Sequence, residues 1–318
     1  MKKYQSVVVG GGPAGITAAL YLLRGGLKIA WVEKLAPGGQ VLMTETIGNY
    51  PGFPQGVKGF ELIDLFTAHL NDFDYDKYRD EVQNIQIGEN KHRIKLSEDW
   101  IQTDTAIICS GASWKKLGIP GENRLNGRGV SYCALCDGNF FRDQEIACIG
   151  GGDTALEESL YLSKLVKKIY LIHRRDAFRA SKIYQDKVIA NPKIEILYDT
   201  IPKEFVGQHN LESLTLVNLK TKKTSSLKVS GAFVFIGLKP ENMFLPDEIK
   251  TDAFGFVITD IEMRTNIPGI FAAGDIRSKV CRQISTAVGD GATAAQNAQI
   301  YLEQTPVNHI NGQTNSGP

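Results

Sequence analysis

The chain makes the same local move twice. Ser6-Val7-Val8-Val9 reads as a short buried strand that runs straight into Gly10-Gly11-Gly12-Pro13-Ala14-Gly15. An apolar-periodic helix follows over about 14–25, and Lys28–Val32 reads as a second strand ending at Glu33. The pattern returns 140 residues later: a strand at Glu145–Ile149, a turn at Gly150-Gly151-Gly152, a helix over about 153–166 and a strand at Lys168–Ile172. A strand, glycine turn, helix and strand within about 30 residues demand a parallel sheet covered by helices. The interval is too long for a solenoid repeat and fits two nucleotide-binding folds in one chain. At roughly 150 residues per domain, 318 residues also give about two domains.

Each turn carries its own chemistry. In Gly10-x-Gly12-x-x-Gly15 the glycines serve a tight turn, close backbone approach to a pyrophosphate and helix–sheet packing. The N-terminus of the helix that follows supplies free N–H groups and positive dipole for phosphate. Glu33 lies 18 residues after Gly15, where a ribose-hydroxyl acceptor belongs. The second turn reads Gly150-x-Gly152-Asp153-Thr154-Ala155, and the strand after its helix ends in His173-Arg174-Arg175, with Arg179 four residues beyond Arg175. An acid there would repel a 2′-phosphate, whereas guanidinium groups bind phosphate bidentately. The second site therefore favours NADPH over NADH, the bland alternative being a solvated basic turn.

Between the two turns lies Cys133-Ala134-Leu135-Cys136-Asp137-Gly138. A lone CxxC reads as a redox dithiol, as half a zinc site or as a bland buried pair. Zinc needs four ligands, and the chain has no second close cysteine pair and five scattered histidines. A helix beginning here would lower a thiol pKa. Asp137 is a candidate proton donor and acceptor, or a simple cap. Nicotinamide does not usually reduce a disulfide directly, so a flavin is the natural intermediary and the first site should hold FAD.

The rest of the sequence narrows the setting. The chain is 42% apolar with 36 Lys+Arg against 35 Asp+Glu, so it can bury a core and offers no charge argument for nucleic acid or anionic membrane. Five cysteines are too few for a disulfide-stapled scaffold, and no apolar run reaches the ~18 residues of a membrane span. The expectation is a soluble cytoplasmic protein. Strands at Ala106–Cys109 and Ala232–Ile236 end before Gly111 and Gly237, where the chain could pass between domains, and the tail from about 305 reads as disordered.

With these residues in place, the chain resembles the low-molecular-weight, bacterial-type thioredoxin reductases over residues 4–303. The resemblance rests on Gly-Gly-Gly-Pro-Ala-Gly (10–15), Gly-Gly-Gln (38–40), Asn-Tyr-Pro-Gly (49–52), the CxxC-Asp-Gly run, Gly-Gly-Gly-Asp-Thr-Ala (150–155), His-Arg-Arg-Asp-x-x-Arg (173–179), Phe-Ala-Ala-Gly-Asp (271–275) and Arg282-Gln283. It implies an α/β fold of two Rossmann-like domains, the NADPH domain (114–240) inserted into the FAD domain (1–113 and 241–318). It implies Gly39, Gln40 and Asn49 near FAD, Asp275 on its ribityl chain, and Arg282 and Gln283 near the flavin. It also implies Cys136 facing the flavin, Cys133 attacking a thioredoxin disulfide, Asp137 handling protons, and a homodimer. Cys133 lies 17 residues before Gly150, so dithiol and NADPH site share one domain. If they use the same flavin face, that domain must rotate about linkers near Gly111–Ser113 and Gly237–Pro240.

The chain departs from the family's common pattern at Leu135 between the cysteines, at Cys109, Cys148 and Cys281, and at Leu238-Lys239. Three rivals share the architecture: a ferredoxin-dependent relative, a small-molecule dithiol oxidase and a non-catalytic flavin redox sensor. The joint presence of the CxxC and the arginine cluster argues against each.

Overall fold

The computed structural model describes residues 1–44, 46–89 and 91–305. The chain opens with β1 (Lys3–Val9), α1 (Pro13–Arg24) and β2 (Ile29–Val32). β1 alternates at its start and is fully buried from Ser6 on, the pattern of a central parallel strand covered on both faces. Proline at its first turn and Gly25 at its C-cap delimit α1. The helix α2 (Gly59–Ala68) and β3 (Asp76–Tyr78) follow, then β4 (Asn84–Gln86), β5 (His92–Lys95) and the long β6 (Trp100–Ile108). These strands order β3-β2-β1-β6-β5-β4, with β1 parallel to both β2 and β6.

The chain then crosses through β7 (Ala112–Trp114) to build a second sheet. It comprises β8 (Val130–Ser131), β9 (Glu145–Gly150), β10 (Lys168–Ile172), β11 (Ile194–Leu197) and, after a meander, β15 (Gly231–Phe235), in the order β11-β10-β9-β15-β8. The short α3 (Ala134–Asp137) precedes β9, α4 (Asp153–Leu162) links β9 to β10, and α5 (Lys182–Ile189) leads to β11. The meander is β12 (Thr200–Val206), β13 (Ser213–Asn218) and β14 (Thr224–Lys228), an antiparallel sheet of its own. The chain returns through β16 (Leu238–Pro240) and places β17 (Ile270–Ala272) back on β6 of the first sheet, before α6 (Ile284–Gln304) packs against α1. Gly291 allows that approach, because a Cβ there would strike the carbonyl oxygen of Ala14.

The two crossings meet. β7 and β16 pair antiparallel, with Leu238 opposite Trp114 and Pro240 opposite Ala112, behind Gly111 and Gly237 at φ +74° and +111°. The segments expected at 111–113 and 237–240 thus form one two-stranded ribbon. The helix expected to reach residue 166 stops at Leu162, because the Ser163 hydroxyl takes over the Leu160 carbonyl at 2.8 Å and the chain turns. The strand expected at 6–9 begins at Lys3. The tail beyond 305 lies outside the described residues.

Candidate active site

The first glycine turn is closed on its inner side and open on its outer side. Gly10 sits at φ +108°, and a Cβ there would collide with the Cys109 carbonyl; a Cβ on Gly15 would collide with the Gly10 carbonyl oxygen. The Trp31 indole N–H donates to that same oxygen at 2.9 Å, fixing the turn from β2. At Gly12, the N-cap of α1, a Cβ would meet nothing within 4 Å, and no side chain caps the helix. The uncapped N–H groups of α1 therefore face open space. Glu33 closes the end of β2 beside them. Its Oε2 accepts from the Gly11 N–H at 2.6 Å and its Oε1 from the Leu35 N–H at 2.8 Å. Gly39 brings a second loop close to the Cα of Gly12, and the Gln40 amide donates to the Ala112 carbonyl on the ribbon.

The second turn repeats this geometry with different side chains. A Cβ on Gly150 would lie 2.5 Å from the Ala155 Cβ, and Gly152 is again open. Asp153 is spent on the structure, its Oδ1 accepting from the Ser181 N–H at 2.8 Å and hydroxyl at 2.7 Å, while Thr154 is exposed. His173 is buried, with Nδ1 3.0 Å from the Gly150 carbonyl and Nε2 3.0 Å from that of Ala177. Both ring nitrogens face protein, so His173 braces the turn. Arg174, Arg175 and Arg179 are exposed, and among the described residues none forms an ion pair.

The dithiol lies between the folds. Cys133 and Cys136 form a disulfide at the start of α3, where the Cys136 N–H donates to the Cys133 sulfur at 3.2 Å. Both are half-buried. Ser131 locks the neighbourhood, donating to Asp137 Oδ2 at 2.6 Å and accepting from the Cys133 N–H at 3.1 Å. Burial pushes the Asp137 carboxyl above the usual carboxylate range, and the Ser131 bond opposes that. From the first fold, the Gln283 amide reaches 4.0 Å from the Cys133 sulfur while its carbonyl accepts from Asn49 at 3.0 Å. Asn49, Gln283 and Cys133, far apart in sequence, are thereby brought together.

Beyond them, Asp275 occupies the turn after β17. Among the described residues its Oδ1 is buried without a hydrogen-bond partner, although Lys279 stands 3.7 Å away. Burial pushes its pKa up, against the opposing charges of Lys279 and Arg282. Arg282 stacks over the Phe256 ring at 4.1 Å and donates to the Arg277 carbonyl at 3.1 Å. Sequence reasoning missed Asp290, which binds Arg277 at 2.9 Å and Lys279 at 3.0 Å and accepts from the Gly274 N–H at 3.1 Å. No local motif marks it; only the packing of α6 on the Gly274 turn does so. The lone cysteines divide: Cys109 and Cys148 are buried, and burial pushes the Cys148 thiol up to about 12, whereas Cys281 is exposed.

An open helix N-terminus beside Glu33 and an orphaned buried carboxylate at Asp275 suit the two ends of a flavin dinucleotide. The first is suited to a pyrophosphate and ribose, and the second to a hydroxyl donor. The second open turn, followed by three unpaired guanidinium groups, suits a phosphorylated nicotinamide dinucleotide.

A pyridine nucleotide-disulphide oxidoreductase family model matches residues 4–291. A thioredoxin reductase of Listeria innocua is 41% identical over 305 residues, with 95% of each chain covered. The crystal structure of thioredoxin reductase from Streptococcus pyogenes superimposes with a TM-score of 0.92 at 42% identity, covering 95% of this chain and 99% of that one. Lactococcus lactis thioredoxin reductase, in a crystal structure described as the FR conformation, is also 42% identical and covers 95% and 100%, yet its TM-score is 0.65.

Proposed function

The chain belongs to the pyridine nucleotide-disulphide oxidoreductase family, and from that premise we propose that it is a thioredoxin reductase that uses NADPH, FAD and the Cys133–Cys136 disulfide. The observation that carries this reading is the disulfide held at a helix start between two nucleotide folds, within reach of Gln283. In this reading residues 1–113 and 241–318 form the FAD domain and 114–240 the NADPH domain. FAD is held by Gly10, Gly12, Pro13, Ala14, Gly15 and Glu33 at one end and by Gly39, Gln40, Asn49, Asp275, Arg282 and Gln283 at the other. NADPH is held by Gly150, Gly152, Asp153, Thr154 and Ala155, with Arg174, Arg175 and Arg179 on its 2′-phosphate and His173 behind them. When bound, FAD supplies a two-electron carrier between NADPH and the disulfide.

The chain's own residues then act in order. With the pair reduced, the Cys133 thiolate attacks the thioredoxin disulfide, forming a mixed disulfide and releasing one thioredoxin thiolate. The Cys136 thiolate attacks the Cys133 sulfur, restoring the Cys133–Cys136 bond and releasing the second thiolate. Asp137 exchanges protons with the departing and arriving thiolates, a task suited to a carboxyl whose pKa burial has raised. The inserted domain rotates about the β7–β16 ribbon between half-reactions. Two relatives at the same 42% identity with TM-scores of 0.92 and 0.65 support such a rotation, since equal divergence would not by itself separate the overlays. The working unit is a cytoplasmic homodimer; none of the described helices is long and apolar enough to cross a membrane.

The test is NADPH consumption by the purified yellow protein in anaerobic buffer, with and without oxidised thioredoxin. Sustained consumption only with thioredoxin is the expected result. A single bleaching of the flavin that thioredoxin does not restart would mean the acceptor is wrong. No bleaching at all would overturn the arginine reading.

A further inference from the structure

Glu122 is 2% exposed, which is costly for a carboxylate unless every oxygen is satisfied. Here it is satisfied from two directions. Its Oε1 accepts from the Leu117 N–H at 2.8 Å and its Oε2 from the Gly118 N–H at 2.7 Å, both on the segment that has just left the ribbon strand β7. Oε1 also accepts from the Tyr132 hydroxyl at 2.8 Å, and Tyr132 is the residue immediately before Cys133. The Tyr132 ring lies stacked on Trp114, the last residue of β7, with centroids 6.1 Å apart and planes at 20°. Trp114 is in turn paired with Leu238 across the ribbon.

We propose that Glu122, Tyr132 and Trp114 form a positioning unit that fixes the dithiol loop to the interdomain ribbon. The chain leaves the ribbon at Trp114 and reaches the disulfide only 19 residues later. Left to its backbone, that stretch would let the loop move independently of the hinge. The buried carboxylate ties the two ends of the stretch to one point, and the ring stack adds a second tie. At the end of β8, one residue before Tyr132, Ser131 ties Cys133 to Asp137. When the ribbon turns, the disulfide therefore turns with it as one body and meets Gln283 in a fixed pose. An aliphatic side chain could fill the space of Glu122 but could not join three donors. The inference rests on the proposed function only for the purpose of the motion; the tie itself concerns the dithiol alone.

The test uses the FAD-bound protein reduced with dithiothreitol, with alkylation of Cys133 and Cys136 by iodoacetamide followed by mass spectrometry of the two peptides. Tyr132→Phe keeps the ring and removes the hydroxyl; Trp114→Ala removes the stack; Trp114→Phe retains a stacking ring. Tyr132→Phe is expected to raise the Cys133 alkylation rate about tenfold, the low end for losing a hydrogen bond to a buried charge, and Trp114→Ala about threefold, as for losing an aromatic stack. They are expected to lower kcat by a similar factor with KM for NADPH within about twofold, and Trp114→Phe is expected to restore the wild-type values. Alkylation rates and kcat unchanged in both variants would overturn the proposal. So would a loss of kcat accompanied by an equal rise in KM for NADPH and a lowered Tm, which marks general loosening. If Tyr132→Phe does not fold, the Trp114 pair decides. Alkylation needs no thioredoxin, so a protein that fails to reduce thioredoxin leaves this outcome readable.

Discussion

The two glycine turns solve one problem with two different side chains. At the end of β2 stands Glu33 and at the end of β10 stands His173, and each lies against the middle glycine of its own turn. A Cβ on Gly11 would meet the Glu33 Cγ at 2.7 Å, and one on Gly151 would collide with the His173 ring. The middle glycine of each turn is thus required by the side chain at its strand end. What differs is where that side chain's polar atoms go. Glu33 accepts two backbone N–H bonds, and in the proposed function its remaining lone pairs serve a ribose. His173 aims both nitrogens at backbone carbonyls, so in the same reading recognition passes to the arginines beyond it. On that reading selectivity sits on the strand end in the first fold and one step past it in the second.

That comparison can be pressed hardest at the dithiol, which belongs to the second fold and whose acid has no counterpart in the first. Asp137→Asn is expected to slow thioredoxin reduction about 10²–10⁴-fold, the usual range for losing a general acid–base group. Its pH signature is also fixed in sign. Burial raises the folded-state pKa above the unfolded value, so the folded protein holds this proton more tightly. The resulting stability is complete below the unfolded carboxyl pKa and is lost as pH rises through the raised one. The Asn variant loses that slope, and urea unfolding across mildly acidic pH reads it. A slope identical in both proteins would mean that Asp137 is not held protonated by burial.

Replacing Arg174, Arg175 and Arg179 together by Ala tests the displacement of selectivity past the strand end. Loss of their contacts to a 2′-phosphate is expected to cost about 4 kcal/mol, a thousandfold fall in kcat/KM for NADPH, with NADH little changed. A retained preference for NADPH would return the discriminator to His173. The closing glycines make a stability contrast of the next size. Gly15→Ala drives a methyl into the Gly10 carbonyl and is expected to cost about 3 kcal/mol in urea unfolding and to release FAD. Ala155→Gly, the matching position in the second turn, is expected to cost only about 1 kcal/mol. Equal costs would mean that the Gly10 carbonyl does not exclude a methyl at position 15.

Much of this was legible in the sequence because turns and strand ends are local. Gly10-x-Gly12-x-x-Gly15 and Gly150-x-Gly152-x-x-Ala155 announce their geometry within a few residues, and β10 falls at Lys168–Ile172 as its apolar run indicates. The pairing of β7 with β16 was not legible, since residues 112 and 240 are joined only by tertiary structure. In the meander, β13 alternates over Ser213–Leu216, but β12 shifts register between Pro202 and Glu204 and β14 is mostly exposed, so three strands do not stand out in the sequence. Half-buried Asp290 and buried Glu122 were invisible for a related reason: each is recognised by the donors that surround it, and those are not marked by any local motif. His173 shows the limit most sharply, because its place beside two arginines suggests phosphate while its burial turns it inward.

His173 also offers the finest measurement. A neutral imidazole donates from one nitrogen only, so one of the two facing carbonyls is served in that form and both in the protonated form. His173→Leu removes whatever hydrogen bond the ring supplies to the Gly150 and Ala177 carbonyls, and it is expected to cost about 1 kcal/mol of stability. If, as proposed, the turn that it braces holds the pyrophosphate of either dinucleotide, KM should rise for NADPH and NADH alike, and their ratio should stay within about threefold of wild type. A ratio that collapses instead would place the imidazole on the 2′-phosphate. The second fold would then read its nucleotide from the strand end, as the first does.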